Sequence, residues 1–434
     1  MTTASGGLFV VDAAGSGTVA VVGGGVRIDL GEAGIVEGEV DPQFQPVLDA
    51  FVRNFSVHGD TGAAVCVYHQ GRKVVDLWGG WASPSHLRPF GPDTLQLVFS
   101  TTKGATALCA LIMAERGLLD IDAPVAEYWP EFGTPEKRQI PVRWLLTHEA
   151  GLPVIDAELP LERALAWTPV TDALVHQRPL WEPGSAHGYH ALTFGWLVGE
   201  VVRRVTGRSL GTFFADEVAA ALGLDFWIGL PASEETRVAP LRMQWPPAPF
   251  GGPGGGATGG DQPVAAGDTL ASLLQPEALQ LLLRALTLNG TFGMFGGDGP
   301  FNSPAVHSAE VPAANGITDA RSLARMYAAL VGDVDGVRLL APDSIDAAAR
   351  PRTEGRDRVL VAPTTFGLGF MCHSRVMPLL APGSFGHSGA GGSLGFADPG
   401  SGTAFGYVMN QMRLTLTGDV RTVGLIEGLR LSLR

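Results

Sequence analysis

Lysine is almost missing from this chain. Of 30 basic residues only Lys73, Lys103 and Lys137 are lysines; all others are arginines. Cysteine is scarce as well. Cys66, Cys109 and Cys372 are far apart and odd in number, which excludes a disulfide framework and any zinc spacing. They read as small core residues of a protein in a reducing compartment. Unbroken apolar runs of about 18 residues are absent, which excludes a transmembrane helix. The first residues carry no positive charge ahead of the apolar stretch, and Asp12 and several glycines interrupt residues 7–26, so no secretory signal is read. The expected location is the cytoplasm. Basic charge is also short, with 43 acidic residues against 30 basic and a net charge of −13. A nucleic-acid reader needs the opposite balance.

What is present fits a globular protein. The 434 residues exceed the usual size of one core, and 45% of them are hydrophobic. The 59 glycines and 31 prolines make up about a fifth of the chain, short of the share that marks wholesale disorder.

Residues 1–38 are Gly- and Val-rich and read as an N-terminal extension, a short strand pair or a loose arm. Gly23-Gly24-Gly25 imitates a dinucleotide fingerprint, but Ile28 stands where its last glycine belongs. In residues 41–55, Phe44, Val47, Leu48, Phe51 and Phe55 mark one face of a helix. Residues 63–69 and 73–78 are β-rich runs joined by Gln70-Gly71-Arg72, a hairpin signal, with Lys73 as an exposed edge charge. Residues 100–116 and 191–206 read as helices closed by Gly117 and Gly207. Residues 246–260 read as a flexible connection, and 265–287 and 319–331 as helical. From about residue 364 the pattern turns to glycine-punctuated strands at 367–371, 392–397 and 404–409. The expected fold is therefore α+β. An antiparallel sheet built from both chain ends is flanked by helices, within one domain of residues 39–434. A mostly helical lobe is inserted at roughly 118–315.

Ser100-Thr101-Thr102-Lys103 is an S-x-x-K at a helix start. Positions i and i+3 share a helix face. A serine hydroxyl needs a base to become a nucleophile, and a lysine amine serves if burial lowers its pKa. The helix N-terminus adds N–H groups that favour a developing anion. The bland reading is an N-cap serine beside a solvated lysine. Lys73 and Lys137 have surface explanations: a strand start, and a charged turn at Glu136-Lys137-Arg138.

The stretch VFSTTKGATALCALIMAERGLLDIDAPVAEYWPEF resembles the active-site segment of the serine β-lactamase-like superfamily. So do GAAVCVYHQGRKVVDLWGG, VRWLLTHEAGLP, PGSAHGYHALTFGWLVGEVVRRVTGR, VPAANGITDARSLARMYAALVG and FGHSGAGGSLGFADPGSGTAFGYVMNQM, in the family's order from about residue 40 onward. The nearest resemblance is to class C β-lactamase-related carboxylesterases, the family VIII esterases, with D,D-peptidases as cousins. It implies a β-lactamase/transpeptidase-like fold and a serine hydrolase that cleaves small-molecule carboxylic esters through an acyl-serine. No metal, organic cofactor, nucleic acid or membrane is implied, and oligomeric state is unreadable. Ser100 matches the nucleophile and Lys103 its base. Tyr189, in Gly188-Tyr189-His190, matches the tyrosine of Y-x-N and would shuttle a proton as tyrosinate beside the lysine cation. His387-Ser388-Gly389 matches the third motif, K-T-G or H-x-G, with His387 supplying a donor or partial charge. The oxyanion hole would be the backbone N–H groups of Ser100 and Ala390. His190 and Trp245 are further substrate-side expectations. Taken singly, Tyr189 and His387 also read as buried core residues.

Two departures bear on substrate. Ala191 replaces the asparagine of Y-x-N, and His387 replaces the lysine of K-T-G. Both disfavour β-lactams and favour esters without a carboxylate. Acyl transfer, a thioesterase or peptidase reaction on the same acyl-enzyme, and a catalytically silent binding protein are the alternatives. Gly391-Gly392-Ser393-Leu394-Gly395 matches the G-x-S-x-G nucleophile elbow. That elbow needs a strand, a turn and a helix, but a Pro-Gly turn follows here and no histidine remains downstream. Ser393 is read as a strand residue beside the pocket. His148-Glu149 lacks a second histidine at i+4 and is read as structural.

Overall fold

The computed structural model describes residues 19–22, 25–83, 85, 87–243, 275–293, 299–413 and 418–434. Strand β1 (Val19–Val22) pairs with β2 (Gly25–Asp29), β2 with β3 (Ile35–Val40), and β3 with β5 (Arg72–Ser83). Strand β5 forms the hairpin with β4 (Gly62–His69). At β4 the two chain ends meet: Thr403–Met409 lies antiparallel to it, from Thr403 opposite His69 to Met409 opposite Ala63. The sheet continues through Leu394–Asp398, Phe385–Ser388, Met371–Cys372, Pro363–Phe366 and Thr353–Arg356, each antiparallel to the last. The expected α+β class, with one antiparallel sheet drawn from both ends, is what the chain forms.

Strand β4 shows why both sheet faces are covered. Alternate side chains of a strand point to opposite faces. Ala64, Cys66 and Tyr68 enter one core with Leu323 and Tyr327 of helix Ala320–Val331. Ala63, Val65 and Val67 enter the other with Phe51 of helix α1 (Gln45–Ser56) and Leu425 of the C-terminal helix Val420–Ser432. The C-terminal helix is not marked by an amphipathic period in the sequence; packing against α1 makes it. All three cysteines are free and buried.

Three local expectations change. Residues 367–371 are not one strand. The chain turns between Pro363–Phe366 and Met371–Cys372, with Gly369 at φ +80°, where only glycine is unstrained. Lys73 stays exposed as expected, at the start of β5 where pairing with β3 has ended at Val75, and its amine meets the buried Asp76 carboxylate at 2.5 Å. The expected boundary at residue 38 falls inside strand β3.

Lys137 is the third change. It is buried, and its Nζ donates to the carbonyls of Leu174 (2.7 Å), Val175 (2.5 Å) and Gln177 (3.2 Å). These close the C-terminal end of helix Thr168–His176. A lysine there satisfies carbonyls that have no partner within the helix. Burial lowers its pKa to about 8. Lys137→Met leaves the three carbonyls unpaired and is expected to cost about 3 kcal/mol of unfolding free energy. Urea denaturation measures it, and an unchanged midpoint would remove the capping role.

Candidate active site

The segment that carries Ser100 is a strained turn. Strand Gln96–Leu97 pairs with Ile317–Thr318, a 3-10 turn Phe99–Thr101 follows, and helix α2 (Thr102–Glu115) begins. Phe99 sits at φ +45°, in the left-handed region that a large side chain avoids. Surrounding bonds hold it there. The Val98 N–H donates to Gly316 O (2.9 Å), the Thr102 hydroxyl to Phe99 O (2.5 Å), and the Thr101 N–H to Val98 O (3.2 Å). Ser100 is thereby left part-exposed at the head of the helix.

One turn on, Lys103 is fully buried. Its Nζ donates to Ala191 O (2.7 Å) and Ala313 O (2.9 Å), and stands 3.2 Å from Ser100 Oγ. Burial holds its pKa well below the usual lysine range. A neutral amine has two N–H groups and one lone pair. In that form the carbonyls would take the former, and the lone pair would be free to accept from the Ser100 hydroxyl. Ala191, the departure from Y-x-N, thus orients the lysine through its backbone.

Tyr189 is 5% exposed, with its ring centroid 4.7 Å from Lys103 Nζ and its hydroxyl hydrogen-bonded with that of Ser100. Burial raises its pKa beyond the ordinary phenol range. Burial disfavours both charges of the expected tyrosinate–lysine cation pair. A residue invisible to motif reading holds Tyr189 in place. Asp357, fully buried, accepts from the N–H groups of Tyr189 (3.0 Å), Val359 (2.8 Å) and Leu360 (2.8 Å). Its other oxygen accepts from the Thr364 hydroxyl (3.2 Å). No sequence signal marks Asp357, since it lies 168 positions from its partner.

His387 lies on strand Phe385–Ser388 and lines the same cavity as Ser100, Tyr189, Ser388 and Ala390. Its Nδ1–H donates to Ser388 O at 2.7 Å, while buried Nε2 has no partner among the described residues. Burial, with Lys103 nearby, lowers its pKa to about 3. The ring is a neutral acceptor, not the donor or partial charge expected. Leu192, Leu286, Leu360 and Met371 supply apolar wall that the motifs did not reveal.

The remaining expected residues are placed elsewhere. His190 is fully buried, its Nδ1–H donating to Gly188 O (2.7 Å) and its Nε2 accepting from the Leu152 N–H (2.9 Å). Both ring nitrogens serve the backbone, so it has none for substrate. Gly389 is where two loops touch: a Cβ would fall 2.1 Å from Val98 O. Trp245 lies outside the described residues. Ser393 is fully buried and does not line the cavity with Ser100. His148 is buried at φ +64°, its Nδ1 accepting from the His190 N–H at 3.1 Å, in keeping with a structural role.

Known proteins resemble this chain in sequence and fold. The model of the Beta-lactamase family covers residues 48–425. An esterase/beta-lactamase of Mycobacterium tuberculosis, LipL, is 36% identical over 409 residues, which is 91% of this chain and 88% of that protein. The crystal structure of a family VIII carboxylesterase superposes with a TM-score of 0.78 at 36% identity, covering 91% of this chain and 99% of that one. A penicillin-binding protein homolog from Caulobacter crescentus gives a TM-score of 0.76 at 36% identity, covering 92% and 99%. The chain belongs to the beta-lactamase family and has the fold of that family's family VIII carboxylesterases.

Proposed function

We propose that this protein is a serine carboxylesterase acting on uncharged esters through an acyl-serine intermediate. The observation that carries the reading is the buried Lys103 amine, with carbonyls on its two N–H groups and Ser100 Oγ at 3.2 Å. Ser100 Oγ bonds to the ester carbonyl carbon while its proton passes to Lys103. The N–H groups of Ser100 and Ala390 hold the tetrahedral oxyanion, which is usually the largest electrostatic contribution. On collapse the bond to the leaving alcohol breaks, and the proton moves from Lys103 through the Tyr189 hydroxyl to the departing oxygen. Water repeats the sequence on the acyl-serine and releases the acid.

The substrate class follows from charge. Among the described residues lining the cavity there is no cation, and His387 is neutral. A carboxylate would lose hydration there and gain no partner. A short-chain p-nitrophenyl ester is therefore expected to exceed its carboxylate-bearing counterpart at least about tenfold in kcat/KM, roughly one unpaired charge contact. Mass spectrometry after a fluorophosphonate should find the adduct on the Ser100 peptide. A preference for the anionic ester, or an adduct elsewhere, would sink the reading.

A further inference from the structure

The G-x-S-x-G motif is left over by this mechanism, yet it touches the catalytic turn directly. We propose that Ser393 is a positioning residue that fixes the separation of the two oxyanion-hole donors. The inference rests on the reading of Ser100 as nucleophile and of Ala390 as the second donor.

Ser393 is fully buried at the entry to strand Leu394–Asp398, so it is not an exposed nucleophile. Its Oγ donates to Val98 O at 2.8 Å. With that proton committed, the Thr101 hydroxyl, 3.1 Å away, donates to Ser393 Oγ. Val98 and Thr101 bracket Ser100, so one side chain grips both sides of the turn that presents the first N–H. The backbone of the same residue grips the second loop. Ser393 O accepts from the Gly389 N–H at 2.8 Å, and the Gly392 N–H donates to Gly389 O at 3.1 Å. Ala390, which carries the second N–H, is held within that small ring.

Two further observations make the contact mechanically necessary. Phe99 at φ +45° stores strain next to Ser100, and a strained turn relaxes unless its carbonyls are held. Gly389 is in contact with both partners: a Cβ there would lie 2.1 Å from Val98 O and 2.2 Å from Ser393 Oγ. The loop is also anchored from behind. Buried Arg421, paired with Asp60 and Asp419, donates to Gly391 O. Ser393 therefore ties a strained nucleophile turn to a loop already fixed to the C-terminal helix.

The test compares Ser393→Ala and Ser393→Cys with the wild-type full chain, each normalised by fluorophosphonate titration. Loss of a single oxyanion donor costs about 100- to 1000-fold, and displacement costs less. Ser393→Ala is expected to lower kcat about 30-fold per titrated site with KM within about twofold, and to weaken an alkylboronic acid by a similar factor. Ser393→Cys, a weaker donor of similar size, should fall between. A merely structural serine would lower the titratable fraction and leave kcat per site unchanged; that result overturns the proposal. If Ser393→Ala does not fold, the isosteric Thr101→Val carries the test, with an expected kcat loss of about fivefold per titrated site and an unchanged value overturning it. Adduct on Ser100 with unchanged Ser393→Ala kinetics overturns the positioning role alone. Adduct on Ser393 overturns the reading of the site itself.

Discussion

Lys103→Arg is expected to lower kcat/KM on a short-chain p-nitrophenyl ester about a thousandfold, within the usual contribution of a positioned general base. By ordinary similarity rules the change is mild, and this chain uses arginine almost everywhere else. The physical difference is the lone pair. A guanidinium stays protonated at every working pH, so it donates and never accepts. At position 103 it could serve the Ala191 and Ala313 carbonyls but could not take the Ser100 proton. The pH profile carries the same information. Burial lowers Lys103, so the neutral, active form grows as pH rises through its depressed folded pKa. The wild type should therefore be active well below the ordinary lysine range, with an acid limb that Lys103→Arg lacks. Steady-state rates across pH measure both. An arginine variant with near-native kcat/KM and the same acid limb would falsify the base assignment.

Ser100→Ala is expected to abolish ester hydrolysis, a fall of about 10⁴-fold or more, and to abolish fluorophosphonate labelling. The fold should survive. Among the described residues the Ser100 hydroxyl meets Lys103 and Tyr189, and the strained turn is held by Val98, Thr101 and Thr102 instead. A thermal midpoint within about 2 °C of the wild type is anticipated, since surface-facing changes of this size alter stability little. The comparison with Ser393→Ala is decisive because both serines sit in motifs known for nucleophiles. Full activity in Ser100→Ala, with none in Ser393→Ala, would transfer the chemistry to the elbow-like motif. The burial of Ser393 opposes that outcome.

Much of the architecture was legible because it is written in short-range pattern. The alternation of β4 and β5, the apolar face of α1 and the glycine stop after Thr193–Thr206 are periodicities of 2 and 3.6 that a few neighbouring residues suffice to display. The pairing of Ser100 with Lys103 is of the same kind, since one helical turn places i and i+3 together. The turn at residues 367–370 is not legible in the sequence, because a glycine-rich run looks alike as a strand or a hairpin bend until its partner strand is known. Lys137 shows the complementary failure. A Glu-Lys-Arg triplet reads as a solvated turn, and only the approach of a distant helix end makes it an interior cap.

The roles within the site divide along the same line. Residue type and local spacing determined that a serine and a lysine share one face of a helix, and that an arginine in the same place could not act as a base. Protonation and partnership came from packing. Burial lowers the Lys103 pKa because residues 88 and 210 positions away close a dry core around its amine. His387 accepts because burial and its own backbone fix the tautomer. Asp357 and Ser393 acquire their places from contacts 168 and 295 positions apart. A hydrogen-bond partner or a low dielectric is a property of the folded neighbourhood, and no stretch of sequence carries it alone.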